Sequence, residues 1–148
     1  MMKISRKCQY ALKAILELSL RNADSPAKSR DIANAQNVSL RFMETILNEL
    51  KHGGFIESRR GRDGGYSLAK PAENITVGEI IEYVQGHISV VSENHKRNAD
   101  CRNAADAFEK LWKEINSAIS EICNNKTFSE IAEIEIKTRK TYKPDYAI

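Results

Sequence analysis

Apolar residues recur at intervals of three and four along most of this chain, with two short interruptions where the period drops to two. From Ser5 to Arg21, Ala11, Ala14, Ile15 and Leu18 form one stripe and Leu12, Leu16 and Leu20 a second. The spacing predicts a helix buried on two sides, against its own domain and a partner. Ser25-Pro26 marks a loop, because proline cannot continue a helix. A short helix follows from Ser29 to Ala35, with Ile32 and Ala33 inward. The stretch Ser39–His52 then sets Leu40, Met43, Leu47 and Leu50 on one face, broadened by Ile46, and Arg41, Glu44, Thr45, Asn48 and Lys51 on the other. Ser39 is a natural N-cap, and Gly53-Gly54 supplies the stop.

Two helices joined by the turn Gln36-Asn37-Val38, the second polar on its outer face, match a helix-turn-helix. Phe55–Ser58 and Gly65–Leu68 read as short strands around Arg59-Arg60-Gly61-Arg62-Asp63-Gly64, so a hairpin with a cationic tip follows directly. That order predicts a winged helix. The glycine-rich tip lacks the lysine-Ser/Thr ending of a phosphate-binding P-loop and does not open a helix, which excludes that reading.

Beyond the hairpin, Thr76-Val77-Gly78-Glu79 is a capping box that opens a helix running to Gln85-Gly86. Periodicity disappears from His87 to Asn103 and returns from about Ala104 to Cys123. There Phe108, Leu111, Ile115, Ile119 and Ile122 make a narrow seam with Trp112 beside it. A single seam on a long helix predicts pairing between subunits. Thr127–Glu130 is a second capping box, before a short helix with Ile131, Ile134 and Ile136 and a basic, poorly packed tail. The expected organisation is mainly α: a winged helix-turn-helix domain at 1–86, a polar loop at 87–103, a dimerisation helix at 104–125, and a short helix and tail at 126–148.

Composition sharpens this. The chain has 148 residues, 41% of them hydrophobic, enough for one modest core. The net charge is only +3, but residues 1–70 hold 13 Lys/Arg against 7 Asp/Glu, whereas residues 71–148 hold 10 against 13. A basic N-terminal half points to a polyanion partner. No apolar run approaches a membrane span and no secretory leader is visible, so a cytoplasmic protein is expected, with no membrane partner. Cys8, Cys101 and Cys123 are too widely spaced for a disulfide framework, which suits reduced thiols. His52, His87 and His95 sit in unrelated contexts and no nucleophile–base set emerges, so catalysis is not expected.

The stretches K-I-S-R-K-C-Q-Y-A-L-K-A-I, R-D-I-A, V-S-L-R-F-M-E-T-I-L-N-E-L-K-H-G-G-F-I, S-R-R-G-R-D-G-G-Y-S-L, I-T-V-G-E-I-I and K-T-F-S-E-I resemble the Rrf2 family of bacterial winged-helix transcription regulators over nearly the whole length. The resemblance implies a homodimer held by the long helix through Phe108, Leu111, Trp112, Ile115, Ile119 and Ile122. It implies binding to double-stranded DNA at a palindromic operator, as a repressor. It nominates Ser39, Arg41, Glu44 and Thr45 in the recognition helix and Arg60 with Gly61 in the wing. The chemistry agrees: Arg41 can grip a guanine edge, Glu44 can accept from a cytosine amino group, and Ser39 can hold a phosphate. Lys28, Ser29, Arg59, Arg62 and Tyr66 are further phosphate candidates.

Many family members bind an iron–sulfur cluster through three cysteines in the loop before the dimer helix. Here that loop holds only Cys101, with Ala104 where a histidine would help and Cys123 about 22 residues on. One thiolate with distant His87, His95, Glu93 or Asp100 is a poor cluster site, so no metal and no cofactor are expected. This places the chain nearer the cluster-free branch, which includes cysteine-metabolism repressors answering to a regulatory protein partner. The alternative is a redox sensor, with Cys101 beside Lys96, Arg97 and Arg102 acting as a thiol switch or an atypical cluster ligand.

Overall fold

The computed structural model describes residues 3–21, 24–90 and 105–141. Helix α1, Arg6–Ser19, begins where the Ser5 hydroxyl accepts the Cys8 N–H at 3.1 Å. It is the centre of the fold. Cys8, Ala11, Ala14, Ile15 and Leu18 are fully buried, while Leu12, Leu16 and Leu20 are half-buried. Small alanines on the inner stripe let α1 lie close to its neighbours, and it touches the helices at 29–36, 40–52, 77–85 and 128–141 as well as the strand at 65–68. Burial raises the Cys8 thiol to about 11 from 9.0, against the pull of the Lys7 ammonium. The thiol therefore stays protonated and unreactive at neutral pH.

Helices α2, Ser29–Gln36, and α3, Leu40–His52, follow, then strands β1, Ile56–Arg59, and β2, Gly65–Leu68. The strands pair antiparallel, with Ile56 opposite Leu68 and Arg59 opposite Gly65. A single 3-10 turn at Ala72–Asn74 leads into α4, Val77–Gln85. The Thr76/Glu79 capping box is formed in both directions, and the Glu79 carboxyl is held below its usual range chiefly by accepting the Thr76 N–H. Helix α5 spans Ala105–Asn125 and α6 spans Phe128–Thr141.

The N-terminal ends of α4 and α6 are stitched together. The Val77 N–H donates to the Lys126 carbonyl and the Phe128 N–H to the Ile75 carbonyl, both at 2.9 Å, flanking a Thr76–Thr127 bridge. The helices approach closely there: a Cβ on Gly78 would displace the Asn124 side chain and stand 3.0 Å from the Asn124 backbone nitrogen. Asn116 of α5 reaches back to accept the Val90 N–H at 2.8 Å, tying the segment after α4 to the long helix.

Helix α6 corrects one expectation. The stretch Lys137–Thr141, expected to start a basic tail, continues the helix. Its Lys/Thr/Arg run shows no apolar period, but Arg139 pairs with Glu135 one turn back at 2.9 Å and with Glu17 of α1 at 3.7 Å. Residues 142–148 lie outside the described residues. No described helix is long and apolar enough to cross a membrane.

Candidate nucleic-acid interface

The turn between α2 and α3 is set by Asn37, which takes a left-handed conformation (φ 53°) while the Val38 N–H donates back to the Ala33 carbonyl at 3.0 Å. Asparagine tolerates that conformation better than most residues. Ser39 then caps α3, its hydroxyl accepting the Phe42 N–H at 3.2 Å and keeping its own proton to donate. The inner face of α3 is Met43, Ile46, Leu47 and Leu50, all buried. Leu40 is only half-buried, and Ile46 holds the central place the spacing assigned to the edge of the stripe. Arg41, Glu44, Thr45, Asn48 and Lys51 lie on the other face, and all five are exposed. The Thr45 hydroxyl donates to the Arg41 carbonyl at 2.9 Å, leaving its oxygen open outward.

Side chains from two other helices hold α3 at a defined angle. The Phe42 ring meets Tyr10 of α1 edge-on at 5.7 Å. Lys7 pairs with Glu49 at 2.8 Å. The Tyr83 hydroxyl of α4 donates to the Glu49 carbonyl at 2.9 Å, its ring lying edge-on to Phe55. Nothing in the residue pattern announces the Tyr83 bond, which joins residues 34 apart.

The wing is fastened to α2 by a bridge that periodicity does not show. Ala27 and Tyr66 exchange backbone hydrogen bonds of 2.9 and 2.8 Å, and Lys28 Nζ donates to the Arg62 carbonyl at 2.8 Å. At the other strand, Lys51 Nζ donates to the Ser58 hydroxyl at 2.8 Å, linking the end of α3 to β1. Arg59, Arg60, Gly61 and Arg62 are exposed at the tip. Ser29 is half-buried at the start of α2, where Lys28 offers no side-chain cap, so the first N–H groups of that helix lack a side-chain acceptor. Tyr66 differs from the other candidates. Its ring is half-buried against the core, and its backbone carries the bridge.

Among the described residues, Lys28, Arg30, Arg41, Arg59, Arg60 and Arg62 enter no ion pair. Cations left uncompensated across helix start, recognition face and wing tip form a surface suited to phosphates. Arg30, exposed at the start of α2 beside Lys28 and Ser29, belongs with this group.

On α5, Phe108, Leu111 and Ile122 are 62%, 43% and 66% exposed, with Ile115 and Ile119 half-buried beside them. Trp112 is half-buried too, and its ring stacks with that of Phe108 at 6.3 Å. Among the described residues no group of three His, Cys, Asp or Glu side chains could hold a metal. Cys8 is locked in the core, Cys123 is half-buried and His87 is exposed. Cys101, Glu93, His95 and Asp100 lie outside the described residues, as does residue 104.

A family profile described as "Rrf2: Iron-dependent Transcriptional regulator" matches residues 4–134. An HTH-type transcriptional regulator of Haemophilus influenzae is 31% identical over 143 residues, covering 96% of this chain and 94% of its own. The HTH-type transcriptional regulator IscR of Photobacterium profundum is 33% identical over 131 residues, 88% of this chain and 75% of its own. Among solved structures, CymR, the global cysteine regulator of Bacillus subtilis, superposes with a TM-score of 0.78 at 30% identity, over 90% of this chain and 98% of its own. An oxidized form of Staphylococcus aureus CymR gives 0.73 at 30% identity, over 89% and 97%.

Proposed function

The chain belongs to the Rrf2 family of DNA-binding transcriptional regulators, and from that premise we propose that it is a cytoplasmic repressor acting as a homodimer on a palindromic operator. The observation that carries this reading is the uncompensated cationic surface of α2, α3 and the wing. Arg41, Glu44 and Thr45 would read base edges in a major groove, with Ser39, Lys28 and Ser29 on flanking phosphates. Arg60 and Gly61 would enter the adjacent minor groove, where arginine is drawn by the negative potential of a narrow stretch. Arg59 and Arg62 would hold its edges, and Tyr66 would fix the wing. The exposed seam of Phe108, Leu111 and Ile122, flanked by Trp112, Ile115 and Ile119, needs a cover, and a second copy of α5 supplies one of matching shape.

Arg41→Ala is the test. It is expected to weaken the selected operator by about 1–3 kcal/mol and to relax preference at one base position. A footprint should show two symmetric half-sites about one duplex turn, ~34 Å, or a multiple of it apart. Equal weakening on all sequences would make Arg41 a phosphate ligand, and a lone half-site would remove the dimer.

No described residue set fits an iron–sulfur cluster. The oxidized form of the S. aureus relative favours a second reading, in which Cys101 is a thiol switch. Peroxide is then expected to change operator affinity in the native protein and to leave Cys101→Ser unaffected. Equal responses of the two proteins would end that reading.

A further inference from the structure

At the base of the wing, at the end of β2 away from the arginine tip, the surface opens into a cavity of about 420 Å³. It lies where the end of α1, the Ser25-Pro26 stretch, β2 and the turn through Ala69 to Pro71 meet. Ser67 lines it. This serine is the one buried polar residue among the described residues, 7% exposed.

A second observation comes from the strand edge. The Tyr66 N–H and C=O point away from β1 and pair with Ala27. Two residues on, the strand alternation turns the Leu68 N–H and C=O to the same outer side. Ser25 stands opposite them, and no backbone bond joins the two. Leu68 and Ser25 both line the cavity.

The remaining chemistry is one-sided. Arg21 and Lys70 stand on the lining, Lys70 also lying over the Phe55 ring at 5.4 Å. Arg21 has Glu17 only at 3.9 Å, with Arg139 sharing that carboxylate, and Lys70 has Glu79 at 3.6 Å. No acidic side chain lines the cavity, so donors outnumber acceptors. Leu18, Leu68 and Pro71 supply an apolar wall.

We propose that this cavity binds a small carboxylic acid with a short alkyl body, its carboxylate held by Arg21, Lys70 and the Ser67 hydroxyl and its chain laid against Leu18 and Pro71. The guanidinium fork matches a carboxylate in two parallel bonds, while the apolar wall leaves the extra oxygens of a phosphate unsatisfied. The volume falls in the lower range of small-molecule sites. An acid seated here lies against the strand edge next to the Ala27–Tyr66 bridge that fastens the wing to α2. Its occupancy is thereby linked to how the wing is set.

The test of binding needs no DNA. The full chain is titrated with acetate, butyrate, pyruvate and, separately, inorganic phosphate at constant ionic strength, followed by calorimetry and amide resonances. At least one carboxylate is expected to bind saturably, with the Ser67 and Leu68 amides shifting most. Arg21→Gln, a surface change that leaves the core intact, is expected to weaken it about tenfold or more. Ser67→Ala should weaken it as well, with the fold checked by its helical signal. The proposal is overturned if no carboxylate saturates, if Arg21→Gln binds as the native chain does, or if phosphate binds equally well. Operator affinity unchanged at saturating acid would overturn the link to the wing.

Discussion

Phe128→Ala is expected to lower the stability of the fold by about 3–5 kcal/mol, read by urea unfolding followed through the helical signal. Phe128 is 1% exposed and heads the largest fully buried side chains. It opens α6 at the point where Val77, Phe128 and the Thr76–Thr127 bridge lock the starts of α4 and α6 together. Both helices are fixed there by capping boxes, with the Glu130 carboxylate accepting the Thr127 N–H at 3.0 Å and Glu79 doing the same for Thr76 at 2.8 Å. Walls pinned by backbone bonds cannot collapse into the vacated volume, which puts the cost at the high end for a phenylalanine. Ile134, on the same helix but 54% exposed, is the control, and its alanine variant should stay within about 0.5 kcal/mol. If Phe128→Ala cost no more than that control, the junction would not be part of the cooperative core.

This junction also marks the boundary of what the residues alone make legible. The two capping boxes are visible in the sequence, because a threonine and a glutamate three apart satisfy each other's backbone donors wherever a helix starts. What they do to each other is not. The Thr76–Thr127 bridge joins positions 51 apart in the chain through a single residue pair, which leaves no periodic trace. The end of α6 departs from its expected boundary for a related reason. Its support comes from Arg139 reaching Glu17 of α1, a partner far away in sequence.

The recognition helix is the most legible element, since Met43, Leu47 and Leu50 repeat with the helical period and Arg41, Glu44 and Thr45 fall between them. Its orientation is hidden. Tyr10, Lys7 and Tyr83 set that orientation from two other helices, and each does so with a side chain whose type says nothing of its role. The wing is legible as a hairpin through its glycines and arginines, but its attachment to α2 depends on Ala27, a residue with no pattern at all. The cavity behind it is invisible for the same reason: Ser67 alternates along β2 like any strand serine, and only packing shows that it lines a cavity.

Gly65→Ala is expected to weaken operator binding by about 2–4 kcal/mol while leaving the helical signal intact. Gly65 has φ +151°, a conformation that side chains rarely adopt, and a Cβ there would stand 2.6 Å from the Ala27 carbonyl oxygen. That neighbour is backbone and cannot rotate aside, so the Ala27–Tyr66 bridge must open and the wing must leave its place beside α2. The Lys28 bond to the Arg62 carbonyl goes with it. Gly54 isolates the steric part. It too has positive φ, +78°, but a Cβ there meets nothing within 4 Å. Gly54→Ala therefore carries only the conformational strain, about 1 kcal/mol. Salt dependence separates the wing's role from general damage to the fold. Every arginine that no longer neutralises a phosphate takes about one unit off the slope of log affinity against log salt, so displacing a wing with two or three such arginines should flatten it by about 2–3. A Gly65→Ala protein that bound its operator with the native affinity and slope would mean that the wing touches no DNA, and the cationic surface would then reduce to α2 and α3.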